Sequence, residues 1–102
     1  MRLAKADIEL QIEHEAGLHL RPAALFVQTA ADFEADIQVR NVTRDTPFKD
    51  AKSALAVMML GVSQGQVIAV QADGEDAEEA LKALRTLVES NFEEPDMEEG
   101  RE

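Results

Sequence analysis

From Asp7 to Glu13, polar and apolar residues alternate without a break. Ile8, Leu10 and Ile12 fall on one side of an extended chain, and Asp7, Glu9, Gln11 and Glu13 on the other. Successive side chains of a strand point to opposite faces, so this run describes a strand with one dry face and one wet face. A sheet made of such strands needs cover on one side only. Ala35–Val42 fits the same plan, with Ile37 and Val39 on one face. Gln66–Ala72, through Val67, Ile68, Ala69 and Val70, predicts a third strand.

Between the strands the apolar period changes to that of a helix. Leu20–Phe33 places Ala23, Val27, Ala30 and Ala31 on one stripe with Phe26 beside them, and Pro22 falls in the first turn, where a missing N–H does no harm. Ser53–Leu60 predicts a short apolar helix, with Ser53 as N-cap and Gly61 as terminator. In the last helix Ala77, Ala80, Leu81, Leu84, Leu87 and Val88 form the dry stripe. Glu78, Lys82, Arg85 and Glu89 form its wet face, and Asp76 with Glu79 resembles a capping box. Thr43–Lys49 is a polar connection holding Pro47. The resulting order, β-α-β-(β)-α-β-α, implies an α+β two-layer sandwich, an antiparallel sheet with helices on one side.

The chain of 102 residues suffices for one domain. We expect that domain to span 1–92, followed by an acidic, disordered tail over 93–102. That tail supplies −5 of the net charge of −11. An acidic surface repels nucleic acid and anionic membrane and favours partners with basic patches; plain solubility explains it equally well. No cysteine is present, so disulfide and thiolate chemistry are excluded, and a cytoplasmic location is expected. No apolar run approaches the roughly 20 residues of a membrane span.

The chemistry rests on two histidines. His14, between Glu13 and Glu15 at a strand end, reads as a solvated surface residue. His19 lies just before a helix whose first turn holds Leu20, Arg21 and Pro22. The first N–H groups of a helix lack internal partners, and with the helix dipole they form an anion site. A phosphate on His19 could accept from the Leu20 and Arg21 amides, with the Arg21 guanidinium adding a charge-assisted bond. A capping histidine beside an arginine also arises by chance, so these residues alone leave the bland reading open. Two histidines without cysteine give no zinc-like spacing, and no glycine-rich nucleotide loop is present. No metal or cofactor is expected.

Two longer segments sharpen the choice. Gly17-Leu18-His19-Leu20-Arg21-Pro22-Ala23-Ala24-Leu25-Phe26-Val27 resembles the active-site segment of the HPr family, the histidine phosphocarriers of the phosphoenolpyruvate-dependent phosphotransferase system. Ala51–Gly61 resembles the family's second signature, around a regulatory serine. Gly65 and Gly74-Glu75-Asp76 also match, and the resemblance runs from about Ala6 to about Phe92. It implies an open-faced β-sandwich, four antiparallel strands with three helices on one face and an edge strand near Phe48–Ala51. It further implies that His19 takes a phosphoryl group on Nδ1 (a pros-phosphohistidine) from enzyme I and passes it to a IIA protein or domain for sugar uptake, steadied by Arg21. The chain would be a monomeric carrier with no substrate turnover of its own. Ser53 would be the site of an HPr kinase/phosphorylase, with transcriptional regulators as further partners. Leu20, Ala54, Leu55 and Met58 would form the docking patch, with Phe26 contributing; for Leu55 and Met58 simple core packing is the competing reading, and for Ser53 a plain N-cap. Ala16 and Leu20 depart from the small polar and small residues usual at their positions, and the Thr43–Pro47 connection is longer than usual. The nitrogen-regulatory branch of the same family, and a non-catalytic regulatory module acting through Ser53, are the alternatives. Leu55–Leu60 and Leu87–Glu94 lean toward the nitrogen branch, Gly61 and Lys52-Ser53 toward ordinary HPr.

Overall fold

In the computed structural model, which describes residues 5–93, the N-terminal alternation becomes β1, Lys5–Gln11. Helix α1 is Leu20–Ala31, β2 is Asp36–Asn41, β3 is Lys49–Asp50, α2 is Ala54–Met59, β4 is Val67–Asp73 and α3 is Ala77–Glu89. The four strands form one sheet in the order β1-β4-β2-β3, and every neighbouring pair is antiparallel. The expected α+β open-faced sandwich is therefore the fold. The acidic segment beyond Glu93 lies outside the described residues, as does the end of the chain before Lys5.

Strand β4 is the last to be made, yet it lies between β1 and β2. Its register builds three core-facing rows: Ala6–Ala72–Ile37, Ile8–Val70–Val39 and Leu10–Ile68–Asn41. The opposite face carries Lys5, Asp7, Glu9 and Gln11 in the open, so the wet half of the alternation meets solvent. Helix α3 packs on β1 and β4, and α1 packs against both α3 and α2. Ile12 continues the dry row beyond β1, wholly buried, and its N–H donates to the Gln66 carbonyl at 2.9 Å.

Two local expectations change. Ala31 is exposed, because at 100° per residue it lies past the stripe set by Ala23, Phe26 and Ala30. Asp76 is the α3 N-cap, but its side chain makes no cap bond. Instead its two carboxylate oxygens accept from the backbone N–H groups of Glu34 and Ala35, each at 2.9 Å. Gly74 permits this approach: at φ +154 a Cβ there would lie 2.8 Å from the Ala35 Cα. The core row also holds a polar residue, Asn41, wholly covered. Its Nδ2 donates to the Leu60 carbonyl and to Gln66 Oε1, both at 3.1 Å, and its Oδ1 accepts from the Arg44 N–H. Asn41 thus ties the end of β2 to the end of α2, and the long connection after it is held by Thr46, whose Oγ1 accepts the Asn41 N–H.

Candidate functional site

His19 occupies the N-cap of α1 with φ −132 and ψ 158, half-buried, and its side chain makes no cap bond. The imidazole is therefore not spent on the helix. The loop before it is fixed from two directions. The Gly17 N–H donates to the His14 carbonyl at 2.9 Å, and the Leu18 N–H donates to the Val62 carbonyl at 3.0 Å. Leu18 is fully buried. Gly17 has φ +66, and a Cβ there would run into the Val62 carbonyl oxygen, so glycine alone fits.

Leu20, the first helical residue, has φ +53. A branched side chain in the left-handed region is costly, and the position is also 78% exposed. Leu20 and Arg21 are the first two residues of α1, so their N–H groups have no carbonyl one turn back within the helix. Arg21 is exposed, and its Nη2 donates to the Phe92 carbonyl at 3.1 Å. A residue from the far end of the domain thus holds the guanidinium beside the helix start.

Ser53 caps α2: its Oγ accepts from the Ala56 N–H at 3.1 Å. Helices α1 and α2 pack together, which brings the two singled-out segments onto neighbouring elements. Leu55 is 67% exposed and Ala54 is exposed. Met58 packs against the core, whereas Met59 is 72% exposed. Met59 is four residues after Leu55 and shares its helix face; that spacing was the available signal for it. Phe26 is fully buried and adds nothing to the surface. With Thr46, Pro47 and Lys49, the residues Ser53, Leu55 and Met59 line a shallow groove.

His14 is not the solvated residue its flanking glutamates suggest. It is half-buried, its Nδ1 accepts from the Ala16 N–H at 3.0 Å, and its ring meets the Phe92 ring edge-on, with centroids 5.9 Å apart. Phe92 lies 78 positions away in sequence, so no local pattern could reveal that contact. No Asp or Glu occurs between residues 16 and 31 or between 51 and 72, although the chain carries 21 acids. The starts of α1 and α2, with exposed Leu20, Leu55 and Met59, therefore lie in acid-free segments of an acidic molecule. None of the helices among the described residues is long and apolar enough to cross a membrane.

The chain is matched over residues 6–90 by the family described as the PTS HPr component phosphorylation site. It is 41% identical over 86 residues to the phosphocarrier protein HPr of Xylella fastidiosa, covering 84% of this chain and 93% of that protein. It is 45% identical over 74 residues to the phosphocarrier protein HPr of Haloferax volcanii, covering 72% and 82%. Among solved structures, HPr-C-His of Thermoanaerobacter tengcongensis superposes with a TM-score of 0.81 at 49% identity, over 87% of this chain and 98% of the other.

Proposed function

The chain belongs to the HPr family and is a phosphocarrier of the phosphotransferase system, and from that premise we propose that His19 is the residue that carries the phosphoryl group. The observation behind this reading is the placement of His19: an uncommitted imidazole at the N-cap of α1, with Arg21 in the first turn. In the loading step the Nδ1 lone pair of His19 attacks the phosphorus of a phosphohistidine on enzyme I. The new P–N bond forms as the donor's P–N bond breaks, and the donor leaves as neutral imidazole. Unloading onto a histidine of a IIA protein or domain is the same exchange in reverse order. Such a transfer asks the protein mainly for position and charge stabilisation. The Leu20 and Arg21 amides offer the phosphate helix-terminal donors, and Arg21 adds its guanidinium. The exchange consumes no substrate belonging to this chain, and it takes place in the cytoplasm in service of sugar uptake.

Exposed Leu20, Ala54, Leu55 and Met59 supply the apolar docking rim for both partners. The segments bearing them lack acids, so docking does not force like charges together. Residues 1–92 make up the carrier, with the acidic tail as an appendage. Ser53 is the second modification site in this reading. Its hydroxyl caps α2, so a phosphate there remains at a helix start but puts a dianion beside exposed Leu55, which weakens docking.

The test is incubation with phosphoenolpyruvate and enzyme I. Wild type acquires acid-labile phosphate and His19→Ala acquires none. Absence of label on wild type with several enzyme I sources defeats the reading.

A further inference from the structure

The second histidine has no part in the exchange just described, yet it touches both sides of the site. We propose that His14 is a positioning residue for phosphoryl transfer, one that sets His19 through the loop before α1 and Arg21 through Phe92. The inference rests on His19 being the carrier.

The first arm runs along the backbone. His14 Nδ1 accepts the Ala16 N–H at 3.0 Å, and the His14 carbonyl accepts the Gly17 N–H at 2.9 Å. Both bonds close one tight turn, which leads through buried Leu18 into His19. Ala16 brings no polar side chain of its own, so the side-chain acceptor comes from His14. That bond requires an Nδ1 lone pair and so places the ring proton of the neutral imidazole on Nε2.

The second arm runs through space. The His14 ring packs edge-on against Phe92, with 85° between the planes. Asn91 and Phe92 both have left-handed backbones, φ +61 and +63; asparagine tolerates that conformation, but a bulky phenylalanine keeps it only when its surroundings hold it. The Phe92 N–H donates to the Leu87 carbonyl at 2.8 Å, and the Phe92 carbonyl takes Arg21 Nη2 at 3.1 Å. The ring contact thus backs the turn that parks Arg21. An asparagine could close the first turn through its amide oxygen but has no ring, whereas a phenylalanine has the ring without the acceptor. Histidine supplies both.

The two arms can be separated. His14→Asn keeps the acceptor, His14→Phe keeps the ring, and His14→Ala loses both. We expect His14→Ala to load from enzyme I about tenfold more slowly, the scale of one lost hydrogen bond, through kcat rather than KM. We expect His14→Asn to restore protection of the Ala16 amide against hydrogen exchange, and His14→Phe to restore the NMR signal of the Arg21 guanidinium, each recovering part of the rate. If His14→Ala does not fold, the other two variants still carry the comparison, because each loses a different signature. Loading at the wild-type rate in His14→Asn and His14→Phe, or an Arg21 signal that ignores the loss of the ring, overturns the inference while the carrier reading stands. A wild type that takes up no phosphate overturns both.

Discussion

Arg21 donates to the Phe92 carbonyl, and its side chain is exposed. Reversing its charge should therefore spare the fold and injure the chemistry. Arg21→Glu is expected to slow phosphoryl transfer by a factor of ten or more, on the scale of one charge-assisted contact, about 1.5–3 kcal/mol. Its stability should change by less than about 1 kcal/mol. A thermal melt beside a transfer assay separates the two, and a large drop in Tm contradicts the account. Leu20 poses the opposite case, a side chain kept in a backbone conformation that disfavours it. Leu20→Gly relieves the left-handed φ, worth about 1–2 kcal/mol, and gives back part of it as unfolded-state entropy. Urea denaturation should show no loss of stability, while binding to a IIA partner weakens because an exposed apolar side chain is gone. Single residues were legible in proportion to how local their roles are. The place of His19 and Arg21 at the start of α1 could be read because a helix start is written within a few positions, whereas their expected part in the chemistry came from the family resemblance. His14 could not, because its partner Phe92 arrives from the other end of the domain.

The elements were legible from period and length, since strands with one dry face leave few ways to be covered. Their joints were less so. Asp76 and Glu79 matched a capping pattern, yet the Asp76 carboxylate serves the turn between α1 and β2 instead. The Glu34 N–H, aided by the Ala35 N–H, holds the Asp76 pKa below its ordinary 3.8. A carboxyl depressed in the folded state adds stability above its ordinary pKa, and loses it as pH falls through that value toward the folded one. Acid titration of stability should therefore fall below about pH 3.8, and Asp76→Asn should flatten that fall. An unchanged slope in the variant contradicts the assignment. Asn41 is the other joint that alternation could not disclose, a polar residue placed in a core row. Asn41→Ala strips partners from the Leu60 carbonyl and the Arg44 N–H, and should cost about 1–3 kcal/mol in chemical denaturation. A cost below about 0.5 kcal/mol would show that water replaces it freely.

Across the whole molecule, sequence order and spatial order differ in one informative way. β4 enters between β1 and β2, so the sheet closes only when most of the chain is in place. Phe92, beyond β4 and α3, reaches back to Arg21, and α1 lies beside α2. The charge is segregated too. The acid-free stretches 16–31 and 51–72 carry the whole of α1 and of α2, whereas acids occupy the rest of a chain of net charge −11. Both stretches can be read along the chain, but only the packing of α1 against α2 sets them side by side. In the proposed function, one imidazole of this face holds the phosphoryl group. The most direct measurement is 31P and 15N NMR of the protein, 15N-labelled at histidine, after loading by enzyme I and phosphoenolpyruvate. The expected spectrum has one phosphorus resonance coupled to Nδ1 of His19, with His14 unmodified. Phosphorus bonded to His14, or to no histidine at all, would contradict it.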